Sequence, residues 1–317
     1  MIPWLLSGLG LVILLLAGDS LVKGAVNLSL RLGIPALIVS LTIVAFGTSA
    51  PELLISVKAI MDEAPGIALG NVVGSNTANI LLVLGIPAIL APLHTSTCDS
   101  RKTYVFMLAA SVLFIALAFM GTFTWISGLI LLSALAFVLF DAFRDARAHQ
   151  QAGEAVELDL EELEGADPEM PVWQVALYLA LGLIGLPLGA DILVDNATII
   201  AKQYGVSDTV IGLTLVAIGT SLPELATTVM AALRRQADVA LGNVIGSNMF
   251  NLLAIIGIAT LVGPIPVDPS FLRQDLWVML AASLVILPFV FLKKDITRIW
   301  GVALTAAYVA YLAVVLI

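Results

Sequence analysis

The chain has 317 residues, 60% hydrophobic and 12% charged, with a formal net charge of −9. Soluble domains run at roughly 45–50% apolar and about 25% charged residues, so this composition and a mean hydropathy of +1.08 exclude an ordinary soluble domain. The single cysteine, Cys98, also excludes an intrachain disulfide and a thiolate metal cluster.

A bilayer-spanning helix needs roughly 20 mostly apolar residues. Such stretches recur at about 3–22, 34–60, 66–91, 103–121, 124–143, 172–195, 206–233, 237–263, 274–292 and 297–316, which predicts ten spans and an all-α integral membrane protein. The first has no Lys or Arg before Lys23 and so reads as a retained span, not a secretory signal. Trp4, Trp125, Trp173, Trp277 and Trp300 fall near predicted span ends, as an interfacial aromatic belt would. One long polar stretch, 144–171, carries Glu154, Glu157, Asp159, Glu161, Glu162, Glu164, Asp167 and Glu169. It divides the chain into halves at 1–143 and 172–317. With no EF-hand pattern and with Pro168 and Pro171 at its end, it reads as a solvated acidic linker.

The halves repeat each other. LTIVAFGTSAPEL from Leu41 returns as LTLVAIGTSLPEL from Leu213, and LGNVVGSNTANIL from Leu69 as LGNVIGSNMFNLL from Leu241. The offset is constant, since 219 − 47 = 172 and 242 − 70 = 172, so the match is an internal duplication. Asp19 and Asp191 obey it too; they read as helix-end aspartates that hydrogen-bond locally, with gating of an entrance as the alternative. Lys23 and Asp195 match with opposite sign. Five spans per half is an odd number, so the second half enters the membrane inverted. With both termini outside, 11 of the 14 basic residues fall on the cytoplasmic side, leaving Lys58, Lys202 and Arg273 outside, in keeping with the positive-inside rule. The acidic linker is then cytoplasmic. Inverted repeats of this kind typify secondary transporters that bind their substrate near the midplane.

Each repeat breaks the rules of a membrane helix at one place. Gly47-Thr48-Ser49-Ala50-Pro51-Glu52 puts a proline and a carboxylate in mid-span, and Gly219-Thr220-Ser221-Leu222-Pro223-Glu224 does the same. Proline interrupts a helix, and any carbonyls it frees must face protein, water or ions. Spans 2, 3, 7 and 8 are therefore predicted to be discontinuous around a midplane site. The partner spans bring Ser75, Asn76 and Asn79, repeated as Ser247, Asn248 and Asn251. Ser75 and Asn79, four apart, share a helix face, as do Ser247 and Asn251. Asn76 and Asn248 read as packing residues. Carboxylates, hydroxyls and amides are hard oxygen ligands suited to Na⁺ or Ca²⁺. Ca²⁺ takes about 6–8 oxygens, whereas Mg²⁺ keeps its waters. A kinked helix with a shielded, protonated glutamate accounts for one such segment but poorly for two matched copies. Neither His94 nor His149 lies in a span, so a serine nucleophile would lack its base and a metal hydrolase its ligands; the reading is not an enzyme. A cation channel would use similar ligands but would more often build one filter on an oligomer axis.

At these residues the chain resembles the cation/calcium exchanger superfamily, and within it the sodium/calcium exchanger branch with its short prokaryotic members. The likeness covers essentially all ten spans. It implies antiport of Ca²⁺ against Na⁺ by alternating access in a cell (inner) membrane, with the first and sixth spans sliding against the rest. It implies that Glu52 and Glu224 coordinate both ions, that Thr48, Ser49 and Ser75 help form one Na⁺ site, and that Thr220, Ser221 and Ser247 form its mirror. Carbonyls of Ala45 and Ala217 contribute, and Asn79 and Asn251 line the centre. Several members carry aspartate where this chain has Asn251. Here the site has a formal charge of −2, matched by one Ca²⁺ or two Na⁺. Two close glutamates can share a proton, so H⁺ coupling is the alternative. The proton/calcium branch usually lacks the Thr-Ser pair. The expected partners are these ions and the lipid bilayer, with no cofactor, nucleic acid or obligatory protein partner.

Overall fold

The computed structural model of the chain describes residues 2–152, 167, 169–205, 217–269 and 271–315. They form helices joined by short turns: α1 (Ile2–Leu32), α2 (Ala36–Thr48), α3 (Ala50–Met61), α4 (Pro65–Leu81), α5 (Gly85–Leu90), α6 (Arg101–Ala118), α7 (Trp125–Ala152), α8 (Val172–Gln203), α9 (Ala217–Thr220), α10 (Leu222–Leu233), α11 (Ala237–Val262), α12 (Phe271–Phe291) and α13 (Arg298–Val315). Among the described residues seven helices are long and apolar enough to cross a membrane, or eight if the bent pair α2 and α3 is one span. Residues 206–216, the first part of the predicted seventh span, lie outside the described residues.

Two helices are much longer than their predicted spans. α1 has 31 residues and α8 has 32, roughly 46–48 Å at 1.5 Å per residue, against a hydrocarbon core of about 30 Å. The sequence reading ended them near residues 22 and 195, where polar residues begin. The helix continues because those residues recur every fourth position: Asp19, Lys23, Asn27 and Arg31 form one stripe. α1 then stops at Gly33, whose φ of +64° is available to glycine at little cost. Ile34 N–H donates to the Ser29 carbonyl and Gly33 N–H to that of Leu30, a Schellman end, and Pro35 follows. Asp19 is therefore inside a helix, not near its end.

The linker also begins later than expected. α7 runs nine residues past 143, through Ala152. Glu154, Glu157, Asp159, Glu161, Glu162 and Glu164 lie outside the described residues. Where the chain is described again it docks on the polar stripe of α1: Asp167 N–H donates to Asn27 Oδ1 at 2.8 Å, and Arg31 to the Met170 carbonyl at 3.1 Å.

The centre is built from the two helices that carry the GSN segments. The α4–α5 window is 83% buried and α11 89%, against 22–44% for the other five windows. That ranks α4 and α11 as the core and leaves α1, α6, α7, α8 and α12 to face lipid. Small residues let the core helices meet backbone to backbone. A Cβ at Gly246 would lie 2.6 Å from the Leu41 carbonyl oxygen, and one at Gly242 would lie 2.8 Å from that of Leu37. Ser40 Oγ bonds the Val239 carbonyl at 2.7 Å across the same contact. A two-residue antiparallel clasp, β1 (Thr122–Phe123) with β2 (Ile265–Pro266), ties the α6–α7 turn to the segment after α11. A second bridge joins Leu93 to Ile296.

Gly74 is the counterpart of Gly246 (74 + 172 = 246); among the described residues no atom lies within 4 Å of its added Cβ, and Leu213, the counterpart of Leu41, lies outside the described residues. The crowding at Gly246 means that Gly246→Ala should destabilise the fold by roughly 1–3 kcal/mol, the usual cost of overpacking. Thermal unfolding of this variant beside the wild type in detergent checks it; an unchanged melting temperature would contradict the packing.

Candidate cation site

The two conserved-in-repeat segments are each broken at a serine. α2 and α3 meet at Ser49 with a bend of 43°, where Ser49 has φ −85° and ψ 5°. Ser221 repeats the conformation, φ −90° and ψ 5°, between α9 and α10. Pro51 and Pro223 sit in the first turn of the helix that follows, where a missing N–H costs nothing. The prolines thus start helices instead of kinking them. Glu52 and Glu224 occupy that same first turn, at the positive end of the helix dipole, where a carboxylate gains about 0.3–1 kcal/mol.

Ser49-Ala50-Pro51-Glu52 and Ser221-Leu222-Pro223-Glu224 have the S-x-x-E spelling of a capping box, yet neither serine caps its own helix. Ser49 Oγ instead donates to Glu224 Oε1 at 3.2 Å, linking one break to the other. Ser221 Oγ is buried with no hydrogen-bond partner. Thr48 Oγ1 lies 3.3 Å from Asn243 Oδ1 and 3.4 Å from Ser247 Oγ, so α2 also reaches α11.

Glu52 and Glu224 are both fully buried. Both carboxylate oxygens of Glu52, Oε2 of Glu224, Oδ1 of Asn79 and both polar atoms of the Asn251 side chain have no hydrogen-bond partner in the protein. Such a buried polar atom costs about 1–3 kcal/mol, more when charged. Glu52 lies on α3, Asn79 on α4, Glu224 on α10 and Asn251 on α11. Ser75 and Ser247 are buried on α4 and α11. Among the described residues no three His, Cys, Asp or Glu side chains converge.

The Ala45 carbonyl accepts from Ser49 N–H at 3.1 Å and from Thr48 Oγ1 at 3.3 Å, so protein donors meet it on two sides. Ala217 opens α9, directly after the residues outside the description, and Thr220 closes that helix. Asn76 and Asn248 bond each other's backbone: Asn76 Nδ2 donates to the Asn248 carbonyl at 3.2 Å, and Asn248 Nδ2 to that of Asn76 at 3.4 Å. They join α4 to α11, and Asn248 Oδ1 also accepts from Asn79 Nδ2 at 3.1 Å.

Sequence reasoning passed over Asn71 and Asn243. Asn71 Nδ2 donates to the Glu52 carbonyl at 3.3 Å and to Ser56 Oγ at 3.1 Å. Asn243 repeats both bonds, to the Glu224 carbonyl at 3.4 Å and Thr228 Oγ1 at 3.2 Å. Each asparagine holds a glutamate-bearing turn against the neighbouring core helix. The signal was present: both are the N of the repeated LGN.

The family model described as sodium/calcium exchanger protein matches residues 2–143 and 174–317. The chain belongs to the sodium/calcium exchanger family. It is a membrane antiporter and not an enzyme. It is 36% identical over 307 residues to the putative antiporter CaxA of Alkalimonas amylolytica, covering 95% of each chain. It is 35% identical over 336 residues to the sodium/calcium exchanger MaX1 of Methanosarcina acetivorans, covering 96% of each. Its fold matches the sodium-calcium exchanger NCX_Mj, in a crystal soaked with Na⁺ and Sr²⁺, at a TM-score of 0.82 and 32% identity over 99% of this chain and 98% of that one.

Asn243→Ala should raise the half-saturating cation concentration for exchange about fivefold, the loss of a hydrogen bond worth about 1 kcal/mol, with the maximal rate retained. Flux titrations in proteoliposomes read it; an unchanged titration would show that the Glu224 turn needs no such support.

Proposed function

We propose that this antiporter exchanges Ca²⁺ for Na⁺ by alternating access at a site formed by Glu52 and Glu224. Thr48, Ser49, Ser75, Asn79 and the carbonyl of Ala45 stand on one side, with Thr220, Ser221, Ser247, Asn251 and the carbonyl of Ala217 on the other. The observation that carries this is the set of unpartnered buried oxygens around two fully buried glutamates. Carboxylates in an apolar interior are costly, and only a cation or protons relieve two of them. MaX1 and NCX_Mj bear the name of sodium/calcium exchangers, which supports Na⁺ as the counter-ion. In this reading the chain has ten spans in two inverted five-helix halves, 1–143 and 172–317. Both termini lie outside the inner membrane and the 144–171 linker lies in the cytoplasm, an orientation that puts 11 of the 14 basic residues on the cytoplasmic side and is supported by the positive-inside rule.

The deciding experiment is radioactive Ca²⁺ uptake into Na⁺-loaded proteoliposomes in a Na⁺-free bath, with K⁺-loaded vesicles alongside. Uptake should require internal Na⁺ and saturate, and Glu52→Gln or Glu224→Gln should reduce it to background while the variant still elutes as a folded protein. Wild-type rates in either variant would remove that glutamate from the site. Uptake that ignores Na⁺ and follows an outward proton gradient would make the protein a proton/calcium exchanger. Unsaturable flux with no counter-ion would make it a channel.

With Asn79 and Asn251 both neutral, the site carries −2 and a bound Ca²⁺ leaves the carrier neutral. Isotopic Ca²⁺/Ca²⁺ exchange should therefore be insensitive to membrane voltage, and any voltage dependence should belong to the Na⁺ half-cycle. A clear voltage dependence of Ca²⁺/Ca²⁺ exchange would show a different charge in the site.

A further inference from the structure

α1 and α8 pack antiparallel along their length as a pair. Glycines on both let the backbones touch: a Cβ at Gly10 would lie 2.9 Å from the Gly189 carbonyl oxygen, and one at Gly182 would lie 2.8 Å from the Leu21 Cα. Their 18-residue windows are only 33% and 22% buried, so most of the pair's surface faces away from the protein. On one side the pair closes tightly on the core. Gly18 of α1 sits against α10, where an added Cβ would lie 2.9 Å from the Ala226 carbonyl oxygen and 3.2 Å from Thr227 N. One residue on, Asp19 Oδ1 accepts from Arg234 Nε at 2.5 Å. The pair is partly buried, with side-chain exposures of 30% and 19%. Arg234 caps the C-terminus of α10, the helix whose first turn holds Glu224. Lys23, one turn further along α1, turns instead to Tyr178 of α8, its Nζ 3.2 Å from the hydroxyl, and so stays within the pair. Asp19 and Arg234 thus tie the pair to the core.

The repeat places an image of this contact on the opposite face, and there the charges invert. Adding 172 takes Asp19 to Asp191 and Lys23 to Asp195; subtracting it takes Arg234 to Asp62 and Arg235 to Glu63. The backbone obeys the symmetry even where the side chains do not, since Glu63 and Arg235 both have φ of 57°. One face therefore offers an acid and three bases at these positions, and the other offers four acids. Among the described residues α8 does not pack on α3 as α1 packs on α10. A cleft of about 140 Å³ opens there between α8 and the two helix breaks, lined by Asp191, Asp195, Pro51, Ile55, Thr220 and Pro223.

We propose that the Asp19–Arg234 ion pair is a latch that shuts the cation site on the face where α10 ends, and that its all-acid image leaves the carrier resting open on the opposite face. The proposal rests on the alternating-access reading above and names the residues that set its sidedness. A carrier open on one face binds from the other with an apparent affinity reduced by the fraction of molecules open there. The latch thus sets which compartment the bare transporter samples, independently of the ions it carries. Asp19 and Arg234 touch no ion and act by positioning the α1–α8 pair.

The test is cysteine labelling of purified protein in detergent and in the absence of Ca²⁺ and Na⁺, in a Cys98→Ser background. Thr227→Cys reports the latched face and Ile55→Cys, its repeat counterpart (227 − 172 = 55), reports the cleft. Adding Arg234→Gln should speed maleimide labelling at the Thr227→Cys site about fivefold, the upper range for a partly exposed ion pair, and slow it at the Ile55→Cys site. Asp19→Asn should do the same, and serves should Arg234→Gln not fold. The charge exchange Asp19→Arg with Arg234→Asp should restore both rates. Labelling unchanged at both reporters, labelling that rises at both together, or an exchange that fails to restore the pattern would overturn the latch. Because no transport is measured, failure of Na⁺-dependent Ca²⁺ uptake would leave the labelling result standing, and the two readings fail separately.

Discussion

The structure is organised around the burial of two carboxylates, Glu52 and Glu224, with no exposed surface and with oxygens that the protein does not satisfy. An interior of this kind normally admits a charge only when it is paired. Here no Lys or Arg is brought to the glutamates. Their hydrogen-bonding neighbours are neutral instead: Ser49 donates to Glu224, and Asn71 and Asn243 bond the carbonyls of Glu52 and Glu224. The surrounding architecture serves that arrangement. The two most buried helices carry the amides, the breaks at Ser49 and Ser221 bring the carboxylates to helix starts, and glycines at 242 and 246 let α11 reach the backbone of α2.

The helix breaks show how a local rule is redirected to a global purpose. An S-x-x-E turn ordinarily closes on itself, the serine bonding the amide at N3 and the glutamate the amide at the cap. Proline at the second helical position removes one of the donors that such a box serves. Ser49 is then free to reach across to Glu224 at 3.2 Å. The consequence is coupling between the halves: the residue that would have capped one helix holds the carboxylate of the other. Asn71 and Asn243 take over local support by bonding the glutamates' own carbonyls.

Much of this was legible in the chain itself, because a membrane interior penalises polar residues severely enough that each one carries information. The two glutamates, the hydroxyls beside them and the GSN helices stood out because they interrupt long apolar runs twice at one offset. What was harder to read followed from geometry that spacing does not encode. The lengths of α1 and α8 were underestimated because polar residues every fourth position look like a span end in a hydropathy scan, yet form one stripe on a continuing helix. Prolines 51 and 223 read as kinks because the sequence does not say which residue is the cap. Asn71 and Asn243 were hidden by their position beside more conspicuous glycines.

Duplication explains the site and also poses its difficulty. Two identical halves related by inversion would give a carrier with equal preference for its two faces, and every residue that obeys the repeat acts equally in both orientations. The positions that disobey it are therefore the ones able to distinguish the faces. Around the glutamates the copies agree closely, residue for residue, as the proposed site needs if one cation is held whichever way the carrier opens. Away from them the agreement fails in charge, where Asp19 and Arg234 answer to Asp191 and Asp62. If the shared residues carry the chemistry, direction must come from positions such as these, where the copies differ.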